Sequence, residues 1–158
     1  MPSIGEQYHA KHTTSEETYS EAMEVFPDGV THDNRFLMPF PVVATHAKGS
    51  RKWDVDGNEY VDYVMGHGAL LLGHGHPDVV KAVTDKLTQG THLGANTRDE
   101  IAWGRMVQQL IPSAERVRFT SSGTEATLLA LRLVRAFTGK TRVIKFQSHF
   151  HGWHDFLL

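Results

Sequence analysis

The residues best suited to chemistry are Ser121-Ser122-Gly123-Thr124, four small residues between an apolar stretch and an apolar helix-forming run. The first N–H groups of a helix lack internal partners and carry the positive end of its dipole. A glycine there lets the backbone come close to an anion, and the neighbouring hydroxyls donate to it. That combination makes a phosphate cradle. The same residues also fit a plainer role, in which Ser122 or Thr124 caps the helix and Glu125 favours its dipole. No Gly-Lys-Ser/Thr closes the loop before the helix, since Gly139-Lys140-Thr141 comes only after it, and no GxGxxG is present, so neither a nucleotide P-loop nor a dinucleotide fold is indicated.

Eleven histidines form the next candidate group. His149, His151 and His154 lie close together near Asp155, and His74 and His76 form a further pair. Zinc accepts three histidines and a carboxylate. The spacings match no helical pair one turn apart, however, so neutral histidines hydrogen-bonded near an anionic ligand are the expected use, with no metal. Serine hydrolase chemistry lacks its G-x-S-x-G elbow. Asp54, Asp56 and Asp62 fall in and around a turn, where turn formation and solvation are their expected roles.

These groups need positioning elements. A polar N-terminal stretch is expected to hold a helix around Glu16–Met23. FPDGVTHDNRFLMPFPVV has too much proline for long regular structure. Lys52–Val55 and Glu59–Val64 flank Asp56-Gly57-Asn58 and predict a β-hairpin. GHGALLLGHGHP leads into a helix with Pro77 at its first position and an apolar face of Val79, Val80, Val83 and Leu87. Thr97 predicts the start of the next helix, with Glu100 reaching back to the Thr97 N–H. Val117–Thr120 and Arg142–Phe146 are expected as strands on either side of the helix after Ser122, giving an α/β crossover unit.

Composition excludes several classes. A chain of 158 residues with 40% hydrophobic and 22% charged residues is that of an ordinary globular domain. A formal charge of −2 argues against nucleic acid or an anionic membrane surface as partner. No apolar run is long enough to span a bilayer, and the N-terminus lacks the apolar core of a secretion signal. With no cysteine there is no disulfide framework or thiolate nucleophile, and a cytoplasmic location is expected.

The segment FTSSGTEATLLALRLVRAFTGKTRVIKFQSHFHGWHD resembles the cofactor region of class III pyridoxal-phosphate-dependent aminotransferases, in particular the branch of glutamate-1-semialdehyde aminomutases and close transaminases. Asp28-Gly29-Val30, WDVDGNEYVDYV, LLLGHGHPDVVKAV and SSGTEA fall in that family's order. The resemblance implies an α/β fold, the N-terminal part of a fold-type I transferase with an incomplete large-domain sheet. Residues 1–65 would form an N-terminal segment with a β-hairpin, and residues 66–158 the start of the cofactor-binding large domain.

The resemblance also implies pyridoxal 5'-phosphate as cofactor, with Ser122, Gly123 and Thr124 on its phosphate. Phe150 would stack on its ring and His151 complete that motif. Where the family usually has tyrosine, Phe150 keeps the stacking face and lacks the hydroxyl. Arg35 would grip a substrate carboxylate, a task suited to its fork. His67 and His32 stand where aminomutases tend to carry tryptophan and serine, leaving the amino substrate open. The lysine that holds the cofactor covalently, and the aspartate on its ring nitrogen, lie beyond Leu158 in the family, and neither Lys140 nor Lys145 takes that place. The first two strands of the family's sheet are separated by later ones, so exposed edges and helix faces are expected. The implied parent is a homodimeric transaminase or aminomutase acting on an amino acid or amine. The alternative is a module that binds the cofactor or another phosphate without turnover.

Overall fold

The computed structural model describes residues 1–157. They divide into two compact units, one spanning Met1–His92 and a second from Leu93 onward.

In the first unit, helix α1 (Ile4–Lys11) opens on a capping box: Ser3 Oγ accepts from Glu6 N at 3.2 Å and Ser3 N donates to Glu6 Oε2 at 2.6 Å. Helix α2 (Thr13–Val25) covers the expected Glu16–Met23 segment. Its N-terminus is capped from far away in sequence. Asp56, in the hairpin turn, accepts from Thr14 N at 2.7 Å, from Ser15 N at 3.0 Å and from Ser15 Oγ at 2.6 Å. The proline-rich stretch that follows forms only two short 3₁₀ turns, Pro27–Gly29 and Asp33–Arg35.

Strands β1 (Ala44–Lys48), β2 (Arg51–Asp54) and β3 (Glu59–Val61) form an antiparallel sheet in that order, with an irregularity between Ala44 and His46. The expected hairpin is β2–β3, paired Arg51 to Val61 and Trp53 to Glu59. Its turn is held by Asp54, which accepts from Asp56 N, Asn58 N and Asn58 Nδ2 at 2.8–3.0 Å and from Tyr60 Oη at 2.6 Å. Burial pushes the Asp54 carboxyl up, but those four donors outweigh it and hold it below its usual range. The same carboxylate works against ionisation of Tyr60, whose phenol is raised first by burial and then by Asp54. His12 joins the network, with Nδ1 2.8 Å from Tyr8 O and Nε2 2.8 Å from Tyr60 Oη. The expectation that Asp54 and Asp62 serve solvation is thereby corrected. Both are buried, because each collects enough donors to replace water.

Helix α3 (Pro77–Leu87) begins on Pro77 as expected, and Val79, Val80, Val83 and Leu87 on it are all exposed.

In the second unit, helix α4 (Arg98–Leu110) is capped by Thr97, whose Oγ1 accepts from Glu100 N at 3.3 Å. Glu100 does not bond the Thr97 N–H as expected; its Oε1 accepts from the Thr97 hydroxyl at 3.2 Å. Helix α5 (Gly123–Thr138) ends on Gly139, left-handed at φ 67°. Residues 117–120 and 142–146 are not strands here. A strand exists through its ladder, and among the described residues none pairs with either segment. Phe119 stacks on Trp103 at 3.6 Å between centroids, while Ile144 and Phe146 stay exposed. That is the uncovered arrangement implied by a sheet whose first two strands are not neighbours.

Candidate functional site

Ser121-Ser122-Gly123-Thr124 form the junction before α5, with Gly123 as the first residue of the helix. Ser122 is the N-cap, its Oγ accepting from Glu125 N at 3.2 Å, so the plainer capping role is present as well. The Ser122 hydroxyl is engaged twice by Glu125, since it also donates to Glu125 Oε2 at 3.4 Å. A Cβ placed on Gly123 would meet nothing within 4 Å, so the approach to the first turn is open.

The segment after Phe146 returns to this helix end. Gly152, buried at φ 104°, lies against it: a Cβ there would sit 3.0 Å from Thr127 Oγ1 and 3.1 Å from Thr124 Cα. Thr127 Oγ1 shares its proton between the carbonyls of Gly123 and Thr124 at 3.1 and 3.0 Å, and lies 3.2 Å from His154 Nε2. Three further contacts fix the segment. Leu157 and Leu131 are buried, Lys145 Nζ donates to Leu157 O at 3.0 Å, and the Arg135 guanidinium lies 4.7 Å over the Phe156 ring.

His151, beside Gly152, has its Nε2 buried without a hydrogen-bond partner. It lines a cavity of about 320 Å³ with Thr127, Leu131, Val143, Lys145 and Leu157. Phe150 is 80% exposed and offers a free ring face. The structure therefore brings His151 to the helix that carries Ser122, Gly123 and Thr124. Sequence reasoning missed Thr127, although its place one turn after Gly123 was the available signal.

Arg35 and His67 belong to the first unit. Arg35 Nη1 donates to Thr31 Oγ1 at 2.8 Å, and the side chain lines a cavity of about 540 Å³ with Phe36, Leu37, Trp53, Asp54 and Tyr60. His67 has a left-handed backbone, φ 59°, and its ring centroid is 6.4 Å from that of His32. Among the described residues, no group of three or more histidine, cysteine, aspartate or glutamate side chains could hold a metal ion. No described helix is long and apolar enough to cross a membrane.

An α/β chain with a small, unclosed antiparallel sheet fits part of a fold-type I transferase. The sequence matches the family Aminotransferase class-III over residues 33–158. It is 42% identical to a glutamate-1-semialdehyde 2,1-aminomutase of Methanocella arvoryzae over 148 residues, 94% of this chain and 35% of the relative. An ω-transaminase from Sphaerobacter thermophilus superposes with a TM-score of 0.87 at 36% identity, over 90% of this chain and 33% of that one. A transaminase with PLP bound superposes with a TM-score of 0.88 at 34% identity, over 92% of this chain and 34% of that one.

This chain belongs to the class III aminotransferase family. It spans about a third of the length of the relatives it matches.

Proposed function

We propose that this chain supplies the phosphate-binding and substrate-recognition residues of a pyridoxal 5'-phosphate-dependent enzyme, a transaminase or aminomutase, that moves an amino group on a small amino acid or amine. The observation that carries this is the open, hydroxyl-lined start of α5 with Gly152 closed down beside it. The residues fit the cofactor. Ser122, Gly123 and Thr124 would hold the phosphate, the Phe150 face would stack on the ring, and the unpartnered His151 Nε2 is a polar atom available beside them. When bound, the cofactor supplies an electron sink for the carbon that carries the amino group. The protein grips the phosphate, orients the ring and excludes water around Leu131 and Leu157. Arg35 would pair with a substrate carboxylate, and His67 would face the rest of the substrate. A homodimer, implied by the family resemblance, and a cytoplasmic location, supported by the absence of cysteine, are part of the same reading.

The test is to supply the full-length gene product with pyridoxal 5'-phosphate and a panel of amino donors, then measure amino-group transfer. Transfer from at least one donor, lost on removing the cofactor, is expected. Tight cofactor binding with no transfer from any donor would overturn the enzyme reading in favour of a binding module.

A further inference from the structure

One carboxylate closes both ends of the glycine-rich loop that carries His67. Asp62 Oδ1 accepts from Val64 N at 2.9 Å and Met65 N at 3.2 Å, where the loop leaves β3, and from Lys52 Nζ at 3.2 Å. Asp62 Oδ2 accepts from His74 Nε2 at 2.7 Å, where the loop returns. The backbone seals the same end, since Gly49 and His74 exchange two N–H···O bonds of 2.9 Å each. Gly73 is pressed so closely onto Gly49 that a Cβ would lie 3.0 Å from its carbonyl oxygen. The Asp62 side chain is only 4% exposed.

Between these ends the backbone is strained. Met65, Gly66, His67 and Gly68 run consecutively at φ 45°, 60°, 59° and 82°. A non-glycine residue in that region costs on the order of 1 kcal/mol and persists only where its surroundings over-determine it. Met65 and His67 are two such residues, one on each side of Gly66, and methionine is the less suited of the two to this region. Within the loop Gly68 N donates to Val64 O and Leu70 N to Met65 O, each at 3.0 Å, and the Asp62 and Gly49–His74 contacts hold its two ends.

We propose that Asp62, with His74, is a positioning residue for His67: the carboxylate holds residues 65–73 in the left-handed course that presents the His67 ring beside His32. This rests on the substrate-facing role proposed for His67. Asp62 touches no substrate in this account and acts only through the loop. Asn in its place has a single acceptor oxygen, so one of the two loop ends would face an amide N–H₂ in place of an oxygen.

The experiment uses the full-length holoenzyme with its best amino donor, and compares Asp62→Asn, His67→Ala and the double variant. Amide hydrogen exchange at residues 65–73 is expected to quicken about tenfold or more in Asp62→Asn, with the β1–β3 amides unchanged. KM for the donor is expected to rise about tenfold with kcat within about twofold, and the rise is expected to vanish in the His67→Ala background. Equal KM effects of Asp62→Asn with and without His67 overturn the positioning role. If His67→Ala alone leaves KM unchanged, the substrate role of His67 is what fails. Where Asp62→Asn does not fold, His74→Gln and His74→Ala replace it. Glutamine retains an N–H donor for Oδ2 and is expected to behave like the parent, whereas alanine is expected to reproduce the KM rise; indistinguishable behaviour of the two overturns the proposal.

Discussion

Gly152 lies over Thr124 so closely that a Cβ on it would be 3.1 Å from the Thr124 Cα and 3.2 Å from its Oγ1. The contact brings a loop 28 residues further along the chain onto the first turn of α5, and it works only with a hydrogen in place of a side chain. The φ of 104° excludes other residues independently. Gly152→Ala is therefore expected to lift the loop from the helix end and carry His151 away from it. Affinity for pyridoxal 5'-phosphate should fall about tenfold or more, with a loss of roughly 1–3 kcal/mol in stability. Spectroscopic titration with the cofactor, alongside denaturant unfolding, measures both. Unchanged cofactor affinity would show that the loop takes no part in binding.

Capping and anion binding at Ser122 can be separated by charge. Aspartate is as good an N-cap as serine, but brings a negative charge to the place where the phosphate would sit. Ser122→Asp is expected to keep the unfolding midpoint within about 0.5 kcal/mol of the parent and to weaken binding of the phosphate ester more than tenfold. Ser122→Ala should do the reverse in kind, costing about 1 kcal/mol of stability with a milder loss of affinity. If Ser122→Asp binds the cofactor as well as the parent, Ser122 is a cap and nothing more.

Asp54, Asp56 and Asp62 predict how the first unit responds to acid. Asp62 is held far below the usual carboxylate range by the His74 hydrogen bond first, then by the Met65 N–H, with Val64 and Lys52 adding to it against burial. Asp54 and Asp56 are also lowered; burial raises each, and their hydrogen bonds overcome it. A carboxyl with a lower pKa folded than unfolded takes up protons more readily in the unfolded state. Its contribution is therefore complete above the ordinary value of 3.8 and is lost as pH falls through the folded value. Thermal unfolding followed against pH should be flat on this account above about pH 5 and fall steeply below about 4. Asp62→Asn should lower the plateau and soften the acid limb. A variant whose acid limb matches that of the parent would show that Asp62 is not among the groups responsible.

The legible parts of the sequence were the local ones. Pro77, Thr97 and Ser122 mark helix starts by the chemistry of a single turn, and Asp56-Gly57-Asn58 marks a hairpin for the same reason. Residues 117–120 and 142–146 carry the composition of strands, but pairing is a property of partners distant in the chain, and none lies among the described residues. Asp56 as the cap of a helix 41 residues earlier, and Asp62 as the partner of His74, were invisible in the same way. Each looks like one more acidic residue near a turn. A phosphate cradle could be proposed from the sequence because helix N-terminus, small residues and hydroxyls coincide in four consecutive positions. The closure by Gly152 and Thr127 was not, since it depends on where the chain returns.

Arg35 gives the sharpest test of what the substrate carries. Its Nη1 is steadied by the Thr31 hydroxyl at 2.8 Å, and the rest of the fork faces a cavity lined by Phe36, Leu37, Trp53 and Tyr60. A guanidinium with donors to spare at the edge of a recess that mixes aromatic residues with Lys52 and Asp54 suits a carboxylate attached to a small organic body. The side chain is exposed, so Arg35→Gln should leave stability within about 0.5 kcal/mol. KM for a carboxylate-bearing donor should rise by about 10- to 100-fold, while an amine without a carboxylate should be used as before. Thr31→Val, which removes only the steadying hydroxyl, should move KM the same way by a smaller factor. Steady-state kinetics with a matched amino acid and decarboxylated amine make the comparison. Equal losses for both substrates would remove Arg35 from carboxylate recognition and leave it as a residue that supports the loop it shares with Thr31.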